Sequence, residues 1–315
     1  MRAETIYMQS PIPHIGRLTA CIGYFDGIHR GHQRLLKQVL AVSKRDGSIP
    51  AMITFDPDPW AVLKHCNDLT HLTMMEDRMR IAKSFGIECM VILHFDEAMA
   101  GSEVKQFHDM LKAMGVSTLV CGYDFHYAKF GQGDINTLLS QSLFQVSICE
   151  PVMDGTQKIS SSQIEELVQN GQITHANELL GYAYSIHGTV IQGNQVGRTI
   201  GFPTANIALQ NPYVLPKPGV YAAMAQVDDR WHRCMVNIGH NPTFNERQEL
   251  SIEAHLLDFK EDIYGKDVRL EFHRYLRKEQ KFKDKAALVC QLHNDIQAVQ
   301  ACLDEGEETY AVKSI

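Results

Sequence analysis

Residues 19–32 read TACIGYFDGIHRGH: an apolar run from Thr19, a glycine-broken turn from Gly23 to Gly31, and the start of an amphipathic segment, His32–Lys44. A strand that ends in a glycine-rich turn and feeds a helix is the opening unit of an open parallel α/β sheet. The same order repeats outward from it. Strand-like runs at Thr19–Phe25, Ala51–Phe55, Cys89–Phe95, Ser117–Gly122 and Phe144–Glu150 alternate with helical segments His32–Lys44, Met74–Phe85 and Glu103–Met114. Gly47, Gly86 and Gly115 stand where those helices need a C′ residue. The pattern predicts a doubly wound, parallel-sheet, Rossmann-like first half.

Ser160–Asn170 and a second short segment through Leu180 read as helices, and a boundary near Gly181–Ser185 divides the chain into residues 1–182 and 183–315. After it the rhythm changes. Ser185–Ile191, Gly219–Val227, Trp231–Ile238, Leu250–Phe259 and Val268–Tyr275 are strand-like with no helical segment between them, which predicts an antiparallel β-barrel or sandwich. Asp284–Glu305 carries Leu288, Leu292, Ile296 and Val299 on one helical stripe and closes the chain. The fold class is α/β plus β.

With 315 residues, two domains are expected. Thirty Lys+Arg against 37 Asp+Glu give a net charge of −7, which lacks the basic footprint of phosphate-backbone binding and excludes nucleic acid as an expected partner. No apolar run approaches the roughly 20 residues of a membrane span, and the first fifteen residues have no secretory pattern, so no membrane partner and a cytoplasmic location are expected. The eight cysteines form no C-x-x-C pair or zinc ligand set and read as reduced core residues. Oligomeric state is left open.

In the opening turn, Gly23 through His32 would sit at the carboxyl end of the sheet, where a helix N-terminus offers free N–H groups to a phosphate. His29 and His32 flank Gly31 and are placed to stabilise charge on phosphorus. The segment resembles the H-x-G-H signature of nucleotidylyltransferases, and in its longer form, G-x-F-D-G-x-H-x-G-H, the FMN adenylyltransferase module of bacterial FAD synthetases. That resemblance implies ATP contacts at Gly23, Phe25, Asp26, Gly27, His29, Gly31, His32 and, from an I-S-S segment, Ser160, Ser161 and Ser162. It implies FMN contacts at Phe55, Pro57, Asp124 and Phe125. Three positions depart from the family pattern: Glu165 replaces the arginine of I-S-S-x-x-I-R, Asp58 the histidine of T-F-x-P-H-P, and His126 the arginine of G-x-D-F-R-F-G. Lys129 and Arg30 are the candidate replacements for the missing positive charge.

A second motif lies in the β-rich half. Gly197-Arg198-Thr199-Ile200-Gly201-Phe202-Pro203-Thr204-Ala205-Asn206 offers a glycine loop for phosphates and two hard oxygen donors, Thr204 and Asn206, of the kind that hold Mg2+ on a nucleotide. Ser251–Leu256 alternates strictly, placing Glu253 and His255 on one face, where a carboxylate is able to take a proton from an attacking hydroxyl. With Val236–Gly239, Asn241–Phe244, Tyr264-Gly265 and Leu276–Phe282, these blocks resemble riboflavin kinase in order over about residues 181–295. The resemblance implies ATP contacts at Gly197, Arg198, Gly201, Phe202, Pro203, Thr204 and Asn206, metal contacts at Thr204 and Asn206, and flavin contacts at Arg277, Glu279 and Phe282. Glu253 is the implied base.

Taken together, the two resemblances imply a bifunctional enzyme of FAD biosynthesis with riboflavin, FMN and ATP as small-molecule substrates and Mg2+ accompanying ATP. Glu253, His29 and His32 are its expected catalytic residues. Two alternatives stand beside it: a riboflavin kinase whose adenylylating domain is impaired or conditional because of Glu165, Asp58 and His126, and a flavin-binding regulator without turnover.

Overall fold

A computed structural model describes the chain except for residues 67, 194–196, 198, 199, 241–249 and 311–315. Arg198 and the Asn241–Phe244 block lie outside the described residues. The chain forms two compact units, Met1–Ser161 and Ser162–Ile315.

The first unit holds one six-stranded sheet: β1 (Arg2–Ile6), β2 (Leu18–Ile22), β3 (Ile49–Asp56), β4 (Cys89–His94), β5 (Val116–Gly122) and β6 (Gln145–Cys149). Every neighbouring pair is parallel and the order is β1-β4-β3-β2-β5-β6. Its helices are α1 (Arg30–Asp46), α2 (Pro59–Lys64), α3 (Met75–Ser84), α4 (Glu97–Ala100), α5 (Val104–Met114) and α6 (Ile135–Ser140). All five residues of β2 are buried. Leu18, Ala20 and Ile22 pack into one cluster with Phe107, Met110, Leu111 and Met114 of α5, and the alternate residues turn to the face where α1 packs. Apolar residues on both faces make β2 a continuous hydrophobic run rather than an alternating one. Gly47 and Gly115 end α1 and α5 at φ 67° and 97°, a left-handed conformation that glycine adopts without steric cost. A two-stranded hairpin, β7 (Met153–Asp154) and β8 (Gln157–Lys158), completes the unit.

The second unit begins with α7 (Ser161–Gln169) and α8 (Ile173–Leu180) and then winds β9 (Tyr184–Ile191), β10 (Ala205–Leu209), β11 (Gly219–Val227), β12 (Arg230–His240), β13 (Leu250–Leu256) and β14 (Asp267–Arg277) into a closed antiparallel barrel. Closure leaves no sheet edge. By contacts, α8 goes with the barrel, since it packs on β9 and β14. The buried Asn177 side chain fastens it there: its amide donates to the Phe272 carbonyl at 2.8 Å and its oxygen accepts from Tyr184 N–H at 2.8 Å. The last helix, α9 (Lys285–Tyr310), lays Val299, Cys302 and Leu303 on Val220 and Met235 of the barrel.

Candidate active sites

The strand order of the first unit reverses between β2 and β5. This is the switch point at which open α/β sheets bind ligands. A cavity of about 340 Å3 opens there, lined by the ends of both strands, the turn from Gly23, the start of α1 and the Ile159–Ser161 segment.

The turn between β2 and α1 is tightly held. Phe25 and Ile28 have φ of 60° and 33°, uncommon for residues with side chains. The Asp26 carboxylate, 4% exposed, accepts hydrogen bonds from Leu72 N–H (3.0 Å), Thr73 N–H (2.8 Å) and Thr73 Oγ1 (3.0 Å). Arg78 donates to the Tyr24 carbonyl at 3.1 Å. Asp26 therefore fastens the turn from beneath, and neither Asp26 nor Gly27 is among the cavity's lining residues.

His29 caps α1: its Nδ1 accepts from the N–H groups of Gly31 (3.1 Å) and His32 (3.4 Å). Two N–H donors on Nδ1 leave the proton of the neutral ring on Nε2, free to be given to an incoming oxygen. The His32 ring stacks on that of His29 with centroids 3.8 Å apart and meets Phe25 edge-on. Burial, and then Lys158, push the His29 pKa down to about 4; burial, His29, Lys158 and Arg78 lower that of His32 well below its ordinary value. Both rings are neutral at pH 7 before substrate arrives. At Gly31 a Cβ would stand 2.9 Å from His29 Cε1, so glycine is what allows the cap.

Gly23, Phe25, His29, Gly31, His32, Ser160, Ser161, Asp124, Phe125 and His126 line the cavity. Phe55 and Pro57 do not, and Phe55 meets Phe95 edge-on instead. Ser162 and Glu165 fall in the second unit, on α7. The cation that reaches the cavity is Lys158, which also bonds the Asp124 carboxylate and lies over the Tyr123 ring at 5.3 Å. It was not among the residues singled out in the sequence, and β8, the short hairpin strand that carries it, has no apolar pattern to reveal it. Lys129 sits 5.7 Å over the Phe130 ring and Arg30 is exposed; neither lines the cavity.

In the second unit β13 stands between two cavities. Glu253 and His255 line one of about 270 Å3 with Asn237, Arg277, Glu279, Gln280 and Phe282; Ala254 and Leu256, on the opposite face, line another of about 560 Å3 with Phe259 and Tyr264. Thr204 lines both, and its hydroxyl donates to Glu253 Oε2 at 3.2 Å. Asn206 and Asn237 lie directly across from Glu253 on the neighbouring strands. Gly197 and Phe202 line the smaller cavity and Pro203 the larger; Gly201 and Asn206 line neither, and the Asn206 amide lies against Gly193. His255 is held by the Pro203 carbonyl at 2.7 Å.

Arg277 is already paired. Its guanidinium donates to Asp295 through Nε (2.9 and 3.1 Å) and Nη2 (2.7 Å), and Gln291 adds a bond at 2.8 Å. Asp295 is 3% exposed and was missed in the sequence, where it reads as a polar residue beside the apolar stripe of α9.

A protein-family model described as FAD synthetase matches residues 13–163, and one described as riboflavin kinase matches residues 180–303. Curated proteins named bifunctional riboflavin kinase/FMN adenylyltransferase are similar over most of the chain. One from Listeria monocytogenes is 37% identical, covering 95% of this chain and 98% of its own, and one from Bacillus subtilis is 38% identical, covering 88% and 89%. A third, from Escherichia coli, is 32% identical over 87% and 89%. A crystal structure described as a macrolide-efflux protein from Streptococcus pneumoniae superposes with a TM-score of 0.89 at 30% identity, covering 95% of this chain and 99% of that one. Among the described residues no helix is long and apolar enough to cross a membrane.

Proposed function

The chain belongs to the family of bifunctional riboflavin kinases/FMN adenylyltransferases, and from that premise we propose how its residues divide the two reactions. The enzyme phosphorylates riboflavin to FMN with ATP and then adenylylates FMN to FAD, releasing pyrophosphate.

Phosphorylation belongs to the barrel. The observation that carries this assignment is the Thr204–Glu253 hydrogen bond at the junction of two cavities on opposite faces of β13. The flavin lies in the smaller cavity, against Arg277, Glu279 and Phe282, and the nucleotide in the larger. Glu253 accepts the proton of the ribityl hydroxyl as that oxygen attacks the γ-phosphorus of ATP. The Thr204 hydroxyl hydrogen is spent on Glu253, so its lone pairs remain to hold the Mg2+ of the nucleotide, whereas the Asn206 amide, turned against Gly193, lines neither cavity. When bound, Mg2+ neutralises charge on the β- and γ-oxygens.

Adenylyl transfer belongs to the parallel sheet. The FMN phosphate attacks the α-phosphorus of ATP, and no strong base is needed because that phosphate is already anionic. The α1 N-terminus, His29 Nε2–H, His32 and Lys158 face the charge that develops. Ser160 and Ser161 add hydroxyl donors at the same wall.

Incubation with riboflavin, ATP and Mg2+, followed by chromatographic separation of the flavins, tests the division. FAD accumulation is expected; FMN without FAD, in oxidised and reduced flavin alike, would mean that Lys158 does not make up for the absent arginines and that the first unit is disabled.

A further inference from the structure

One group of titratable side chains in the first unit has no part in the reaction as described above. Tyr24, Asp26, Asp58, His71 and Arg78 meet past the carboxyl ends of β2 and β3. His71 Nδ1 stands 3.7 Å from Asp58 Oδ2, 3.9 Å from Asp26 Oδ2 and 3.3 Å from the Tyr24 hydroxyl. Its ring meets that of Tyr24 edge-on at 5.8 Å. From α3, Arg78 lies 4.2 Å over the Tyr24 ring and 3.8 Å from Asp26 Oδ1. The Asp26 side chain is 5% exposed, Asp58 9% and His71 16%.

Two carboxylates thus face one arginine and one imidazole. The imidazole lies within 3.9 Å of both carboxylates and 3.3 Å of the Tyr24 hydroxyl, and with side chains this little exposed its removal would leave a void that bridges three polar groups beside the turn. The same loop holds Phe25 and Ile28 in left-handed conformations, each costing about 1–3 kcal/mol, which persist only where surrounding contacts over-determine them. Asp26 and Tyr24, the residues that fasten it, are two of the three that His71 touches.

The third is Asp58. It stands where the T-F-x-P-H-P motif carries a histidine, and here its Oδ1 caps α2 by accepting from Trp60 N–H at 2.7 Å. An imidazole reaches this carboxylate all the same, from residue 71. We propose that His71 is a positioning residue for adenylyl transfer, supplying from the segment between α2 and α3 the imidazole that the motif carries at position 58. Through Asp26, Asp58 and Tyr24 it holds the turn that presents His29 and His32. The inference rests on assigning adenylyl transfer to this unit.

Full-length wild type, H71A, D58H and the H71A/D58H double variant are compared for FAD formation from supplied FMN and ATP, with riboflavin phosphorylation measured on the same samples. H71A is expected to lower kcat/KM for FAD formation about tenfold or more, since small displacements of positioning groups carry penalties of up to about a hundredfold. D58H is expected to recover most of that loss in the double variant, with phosphorylation of riboflavin equal in all four. Loss of general integrity in the first unit would not be relieved by an imidazole placed at position 58, so recovery separates positioning from packing. An H71A protein within about twofold of wild type, or a deficit that D58H leaves in place, overturns the proposal. If wild type itself forms no FAD, the assignment of the unit fails, and this inference falls with it.

Discussion

Replacing Asp295 by Ala removes a 3% exposed carboxylate that receives three bonds from Arg277 and one from Gln291. Breaking a buried ion pair from one side costs about 3–5 kcal/mol, because the remaining charge stays in place without a partner. The Arg277 side chain is 20% exposed and keeps the Lys278 carbonyl at 3.1 Å, which puts the loss near about 3 kcal/mol. For a unit of this size about 2–4 °C accompany each kcal/mol, so the barrel transition should fall by roughly 6–12 °C in scanning calorimetry. D295N keeps the volume and one acceptor and should lose about half as much. Because Arg277, Glu279, Gln280 and Phe282 line the smaller cavity, proposed to hold the flavin, the KM for riboflavin should rise in both variants. FAD formation from supplied FMN, measured on the same sample, should hold at the wild-type rate below the transition. A D295A barrel that melts within about 2 °C of wild type with an unchanged KM would refute the reasoning.

Three further outcomes follow from the same geometry. The His29 ring should titrate by NMR near 4, and higher in K158A, since Lys158 is the second cause of the depression; the unfolded chain binds its proton near 6.5, so this group withdraws up to about 3 kcal/mol of stability as pH falls from 6.5 to 4. In G31A the added methyl, 2.9 Å from His29 Cε1, should push the ring off the α1 N-terminus and lower FAD formation by up to about a hundredfold, with riboflavin phosphorylation intact. E253Q should lower FMN formation by about 10² to 10⁴ while flavin fluorescence still reports binding; unchanged turnover would remove Glu253 as the base.

Much of the fold was legible because its strongest signals are local. The alternation of apolar runs with glycine-closed helices located β2 to β6, and the strands of the barrel announced themselves by the absence of helical periodicity. What escaped has a physical reason in each case. β1 is an edge strand with polar side chains toward water, so Arg2–Ile6 has no apolar run. β10 is hidden inside the phosphate-binding motif, where Ala205–Leu209 reads as loop. Of the residues that the motif resemblances single out, His29 and His32 line the cavity of the first unit, and Thr204 and Glu253 line one in the barrel. Lys158, His71 and Asp295 carry no motif, because their contacts come from distant chain segments brought alongside: a hairpin, a connection ahead of α3, and the inward face of α9. The serines at 160 and 161 reach the cavity as their motif implies, whereas Asp26 lies beneath the turn and acts on its shape.

With β13 standing between the two barrel cavities and Thr204 reaching both, the proposed division gives donor and acceptor separate compartments that share one wall. Neither has to leave before the other arrives, and no side chain has to carry the phosphoryl group between visits. Steady-state rates measured against both substrates should therefore give intersecting rather than parallel reciprocal plots. Occupancy of one compartment leaves the other open, so a nucleotide and a flavin analogue should inhibit as independent, stackable ligands, and a molecule tethering the two across Thr204 would gain from both compartments at once.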